Sequence, residues 1–207
     1  MTTRTIAKLY DSYDDAADTV RDLEAAGVPH GDISLVANNA DNRYITAETT
    51  ASKAGAGAGT GASIGTLIGG GAGLLAGLGV LAIPGVGPIV AAGWLVSTLA
   101  GAAAGAGVGA ASGGLIGAMT EAGVSPDHAQ IYAEGVRRGG TLVTARVDES
   151  KAGIVDGIMR KYYPVDPDQR GAAYRKTGWT TFDEKAKAYT ADELERERAL
   201  YRRNRAA

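Results

Sequence analysis

Apolar and polar positions along the chain alternate between strand-like and helix-like spacing. Thr3 to Tyr10 (TRTIAKLY) predicts a strand with Ile6, Leu9 and Tyr10 as its apolar positions. Asp11 or Ser12 then caps a helix in which Ala16, Ala17, Val20, Leu23 and Ala26 recur at helical spacing and which stops at Gly27. Ile33 to Ala37 predicts a second strand. Much further on, Ser125-Pro126-Asp127 has the form of an N-cap followed by Pro in the first turn, and the helix it opens ends at Arg138-Gly139-Gly140. Thr141 to Val147 predicts a third strand, Asp148 or Ser150 opens another helix through Tyr162, and an extended piece around Val165 supplies a fourth strand.

Between Lys53 and Glu121 the pattern changes: there is no charged residue, and 21 of the 31 glycines fall there. Gly57, Gly61, Gly65, Gly69, Gly73 and Gly77 keep a four-residue period without error. After the turn Ile83-Pro-Gly-Val-Gly-Pro88 the period returns at Gly93, Ser97, Gly101, Gly105, Gly109, Gly113 and Gly117. Two matched runs about a Pro-bracketed centre predict two antiparallel helices of roughly thirty residues. Gly costs up to about 1 kcal/mol per helix position, and close approach of helix backbones along the stripe offsets that cost. An α-helix turns every 3.6 residues, so a strict four-residue stripe drifts by about 40° per step and one straight partner cannot cover it. The stripe therefore points to self-association of hairpins.

Bulk gathers around the turn. Leu74, Leu75, Leu78, Leu81 and Ile83 precede it, and Ile89, Val90, Trp94 and Leu95 follow. Such a tip is a large exposed apolar patch unless something covers it. The uncharged stretch Ala62 to Ile83 is long enough for about 33 Å of helix, which would span a bilayer. Membrane association is the expectation, with tips of several subunits packed together in water as the alternative.

Leaving the insert aside, the order β-α-β, helix, β-α-β predicts an α+β, ferredoxin-like (split βαβ) domain interrupted by the hairpin. Four pieces follow: 1-50, the first half; 51-120, the glycine-zipper hairpin; 121-166, the second half; 167-207, a charged tail. Charge follows the same division. Residues 1–53 hold five basic and nine acidic side chains, 121–163 six of each, and 164–207 ten basic and eight acidic. In the tail, Tyr174, Trp179, Phe182 and Tyr189 stand among charges with no regular period, which predicts docking on a folded surface. Thr190-Ala-Asp-Glu193 is a capping box for a terminal helix carrying Leu194 and Tyr201.

Little chemistry is offered. The absence of Cys removes disulfides, thiolate metal sites and a Cys nucleophile, and His30 and His128 are the only histidines. No catalytic, cofactor-binding or metal-binding residue is assigned, so the expectation is a non-enzyme without cofactor. A formal net charge of −2 argues against nucleic acid as a partner. The opening MTTRTIAKLYDS reaches acidic residues too early for a signal peptide, which predicts a cytoplasmic chain. If the hairpin inserts, both of its ends face the cytoplasm at the inner membrane. Expected partners are further copies of the chain and a lipid bilayer.

KLYDSYDDAADTVRDLEAAGVPHGDISLVANN and, further on, GVSPDHAQIYAEGVRRGGTLVTARVDES resemble the bacterial general-stress (heat-induced stress protein, YflT-like) family. The resemblance implies a stress-linked protein without catalytic residues. The resulting expectation is a structural, stress-associated protein that self-assembles through its hairpins at or in the membrane. A soluble homo-oligomeric shell or filament, and a regulatory binding module tethered by the hairpin, are the alternatives. Replacing Gly65 and Gly69 by Leu should push helices apart and abolish self-association, with Ala milder at both sites; an unchanged particle size by light scattering would show that the stripe is no interface.

Overall fold

A computed structural model describes residues 2–44, 79–105 and 114–205. β1 (Thr3–Tyr10) leads into α1 (Tyr13–Ala25), whose first turn is capped by Ser12 accepting from the Asp15 N–H. A short 3-10 turn, His30–Asp32, enters β2 (Ile33–Asn38). The uncharged segment supplies β3 (Gly79–Ile83), β4 (Gly87–Gly93), α2 (Trp94–Gly105) and α3 (Gly114–Glu121). Next come α4 (Pro126–Arg137), β5 (Thr141–Asp148) and α5 (Ala152–Arg160), then α6 (Pro167–Lys176) and α7 (Ala191–Arg205). The chain is thus α+β, with one antiparallel sheet in the order β1-β5-β2-β4-β3. Beside β1, the Val165 N–H donates to the Leu9 carbonyl at 2.7 Å in a single antiparallel bridge.

Both faces of the sheet are covered. On one, Ile6, Tyr10, Ile33, Leu35, Val143 and Ala145 pack with α1 and α5 through Ala16, Val20, Leu23, Val155 and Met159. On the other, Leu9, Val36, Ile89, Ala91 and Leu142 pack with α2, α3 and α4 through Leu95, Met119, Ala129, Ala133 and Val136. β2 lies between β5 and β4 and is buried at every position. That double burial is why its sequence runs apolar instead of alternating.

The expected helix–turn–helix is replaced around the turn by a β-hairpin. Gly85 and Gly87 take φ of +74° and +97°, and the Val86 N–H donates back to Ile83 O at 3.1 Å. The β-branched residues Val80, Ile83, Ile89 and Val90 suit strands, and β2 offers an unpaired edge to which Ile89–Gly93 hydrogen-bond. Those gains outweigh a glycine-burdened helix. The supposed apolar tip is accordingly domain core: Ile83, Ile89, Val90, Trp94 and Leu95 are buried, and Leu81 is packed against them. Leu74, Leu75 and Leu78 lie outside the described residues, as do Gly57, Gly61, Gly65, Gly69, Gly73, Gly77, Gly109 and Gly113.

Gly93 also has a job other than the one its spacing suggested. It turns the chain from β4 into α2 at φ +90°, and a Cβ there would sit 1.8 Å from the Ile33 carbonyl oxygen. Ser97 is exposed on α2, which also carries Gly101 and Gly105, while Gly117 lies on α3 with open space where a Cβ would stand. The tail departs from expectation too: Asp166 accepts from the Gln169 N–H, and Pro167 starts a helix in a stretch whose pattern predicts none. Gly93→Ala should therefore cost at least about 2 kcal/mol in chemical denaturation, whereas Gly117→Ala should be neutral or stabilising by up to about 1 kcal/mol. Equal effects of the two changes would refute this division.

Candidate interaction surface

The C-terminal end of β2, the β3–β4 turn and the C-terminal end of α4 meet at one corner of the domain. Asn38, fully buried, donates through Nδ2 to the carbonyls of Val86 at 3.3 Å and Arg137 at 3.1 Å. The last turn of α4 places Glu134, Arg137 and Arg138 at i, i+3 and i+4, on one side of the helix. Glu134 is fully buried; it accepts from Arg138 Nε at 2.6 Å and from Arg137 at 3.2 Å on both oxygens. Burial works against the charge of Arg138, but the Glu134 hydrogen bond and charge outweigh it and raise the guanidinium pKa. Tyr132, on the same helix, donates its hydroxyl to the Ala7 carbonyl at 3.2 Å and has its phenol pushed up to about 12 by burial.

Residues 177–205 form a strap across this corner. Tyr174, at the end of α6, is buried beneath the guanidinium of Arg138, which lies 4.4 Å from its ring centroid. Trp179 meets the Tyr174 ring edge-on at 5.7 Å. Phe182 packs against the apolar face of the sheet, and Tyr189 lies under Arg137, 4.7 Å from ring to guanidinium. The Arg137 fork also donates to the Lys187 carbonyl at 3.2 Å. Tyr174, Trp179, Phe182 and Tyr189 are thus brought to one surface.

Several partners in this surface had no signal in the aromatic pattern. Leu194 is fully buried on α7, and Thr190 and Glu193 close the capping box ahead of it. Arg198, 6% exposed, donates to Gly139 O at 3.1 Å and Asn38 O at 3.3 Å and pairs with Asp41. Arg170 on α6 grips Asp11 with two bonds of 2.9 and 2.7 Å while lying 3.8 Å from the Tyr201 ring centroid. The double arginine followed by Gly139-Gly140 was the available clue to Glu134 and Arg138; Arg198 had none.

A second feature lies on the opposite side. A cleft of about 360 Å³ opens between the α1–β2 loop and the start of α5, floored by Val28, Val147 and Val155 and rimmed by Asp32, Arg146, Asp148 and Lys151. Arg146 is paired with Asp32 at 3.1 Å. Among the described residues no group of three or more His, Cys, Asp or Glu is placed to hold a metal ion. His30 lies 3.2 Å from Glu24 and His128 3.3 Å from Asp168, both at the surface.

Glu134→Ala should remove the buried carboxylate that Arg137 and Arg138 share and lower stability by about 3 kcal/mol. The same change should also make Trp179 fluorescence shift to the red in a Trp94→Phe background; an unshifted spectrum would show that Glu134 does not hold the strap.

Residues 5–74 match the family model described as the heat induced stress protein YflT domain. No curated protein and no solved structure matches the chain. The match takes in most of β1, α1 and β2 and ends before α4, so the strap lies outside it, while Asn38 and Asp41 of its seat lie within it. Over residues 5–74, then, the chain carries the domain of the YflT-type heat-induced stress proteins that its sequence resembles.

Proposed function

We propose that this is a non-enzymatic, stress-associated structural protein that associates with further copies of itself through the glycine-periodic segment. The family match supports the stress-associated role. One observation carries the self-association: the error-free four-residue glycine period from Gly57 to Gly77, in a segment without a single charge. The sheet domain is a ferredoxin-like frame, a reading supported by the sequence of strands Val165, β1, β5, β2 across the sheet, all antiparallel. Association between copies is favoured over membrane insertion for a specific reason. Ile83, Ile89, Val90, Trp94 and Leu95 are spent on the domain's own core, and among the described residues no helix is long and apolar enough to cross a membrane.

The cleft beside α5 supports a second reading, a regulatory binding module, because an apolar floor with a charged rim suits a small amphipathic ligand. The two readings part on mass. Mass photometry of the full chain at micromolar concentration should give particles of several subunits, and Gly101→Leu with Gly105→Leu on α2 should reduce them to monomers. A wild-type monomer would reject self-association and leave the binding module.

A further inference from the structure

We propose, on the binding-module reading, that the cleft beside α5 takes a free apolar α-amino acid. Asp148 receives its ammonium group, Lys151 its carboxylate, and the valines of the floor its side chain. The cleft exists because two paired strands end at different points. β5 runs on to Asp148, opposite Thr3 of β1, whereas β2 begins with Ile33 opposite Ala145. Arg146, Val147 and Asp148 therefore have no strand on their β2 side. Ala26, Gly27, Val28 and Pro29 of the α1–β2 loop line the space left open there. Its volume of about 360 Å³ lies at the small end of ligand sites and gives room for one small molecule.

Four charges rim the cleft, and two of them cancel. Arg146 donates to Asp32 at 3.1 Å and to the Gly31 carbonyl at 3.4 Å. The other two, Asp148 and Lys151, have no side-chain partner among the described residues. Asp148 stands at the N-cap of the short 3-10 turn Glu149–Lys151, yet its carboxylate accepts no capping hydrogen bond. Side chains three residues apart eclipse in such a turn, which puts Asp148 and Lys151 on one side of it. They form no ion pair with each other. A free anion and a free cation so placed fit a ligand that carries both charges on one carbon; a plain carboxylate or a plain amine satisfies only one of them. The remaining lining sets the rest of the ligand. Val28, Val147 and Val155 are buried beneath the opening, while Ile154 on its rim is 67% exposed. A branched aliphatic side chain laid on the valines would cover Ile154 as well, removing apolar surface from water on both partners.

Equilibrium dialysis of the full-length chain, with radiolabelled probes at millimolar concentration, tests this whatever the size of the particles. L-leucine is the probe. Isocaproate keeps its chain and carboxylate without the ammonium, isoamylamine keeps the chain and ammonium without the carboxylate, and glycine lacks the chain. The expected result is saturable binding of one L-leucine per chain, with each of the other three at least about tenfold weaker. Asp148→Asn and Lys151→Gln should each weaken L-leucine by about tenfold, and Glu149→Gln, whose carboxylate is turned to Arg4, should not. Isocaproate or isoamylamine binding as well as L-leucine would overturn the amino-acid assignment and leave the binding module standing. No binding of any probe would overturn both. L-leucine binding that Asp148→Asn and Lys151→Gln leave unchanged would place the site elsewhere and overturn the assignment to this cleft.

Discussion

The pairing of β4 onto β2 is the constraint on which the rest of the molecule depends. Its register runs from Ser34 opposite Gly93 to Asn38 opposite Ile89. At one end Gly93 turns so closely over the Ile33 carbonyl that no other residue fits, and the Leu95 N–H donates to Ser34 Oγ at 2.8 Å. A slip of one residue would send Ile89 and Ala91 to the α1 side and Val90 and Ala92 to the α4 side, undoing both apolar layers at once. With the register held, the Pro84–Gly87 turn falls over the end of β2, where Asn38 joins it to α4. The seat of the strap is a consequence of that placement.

A buried carboxylate organises this corner, and its contribution is geometric more than energetic. Removing one partner of a buried ion pair is costly, yet the intact pair contributes little net stability against an apolar substitute. What Glu134 supplies is orientation. By accepting from two adjacent arginines it lays their planar groups flat, one over Tyr174 and the other over Tyr189. A lysine would offer neither the fork nor the stacking plane. The same side-chain type does this work at Arg170, between Asp11 and Tyr201, so the strap and its neighbouring helix share one mode of attachment.

Elements decided locally were legible in the sequence. β1 spans Thr3–Tyr10 as its pattern implies, Ser12 and Ser125 cap α1 and α4, and the Thr190 capping box opens α7. The hairpin was not, because the four-residue glycine rhythm is a helix-packing signal while the choice of strand is made by the open edge of β2, far away in sequence. The apolar surplus around the turn was visible, and so was its need for cover. Burial on the edge of the chain's own sheet was the solution that composition could not reveal. α6 escaped for a different reason: its start, Asp166-Pro167, resembles that of α4, but only Gly171 and Tyr174 are buried along it, too few to show a period. Glu134 illustrates a third limit. A lone acid on an apolar helix face carries no compositional mark, and its meaning appears only when the arginines three and four residues on turn back to it.

Glycine serves two separate ends in this segment, and the geometry tells them apart. Gly85, Gly87 and Gly93 have left-handed φ, and the room left by their missing side chains is already taken by Asp183, Ala188 and Ile33 of the same chain. They build the hairpin and the seat, and no second copy can pack against space that is filled. Gly117 is the opposite case, on a helix with nothing within 4 Å of an added Cβ. Only glycines of that second kind leave a helix backbone open to close approach by another helix. A contact between copies through small residues therefore belongs to the helical part of the segment, not to its turn. The turn is already occupied, since Asp183 and Ala188 of the strap fill the space beside Gly85 and Gly87.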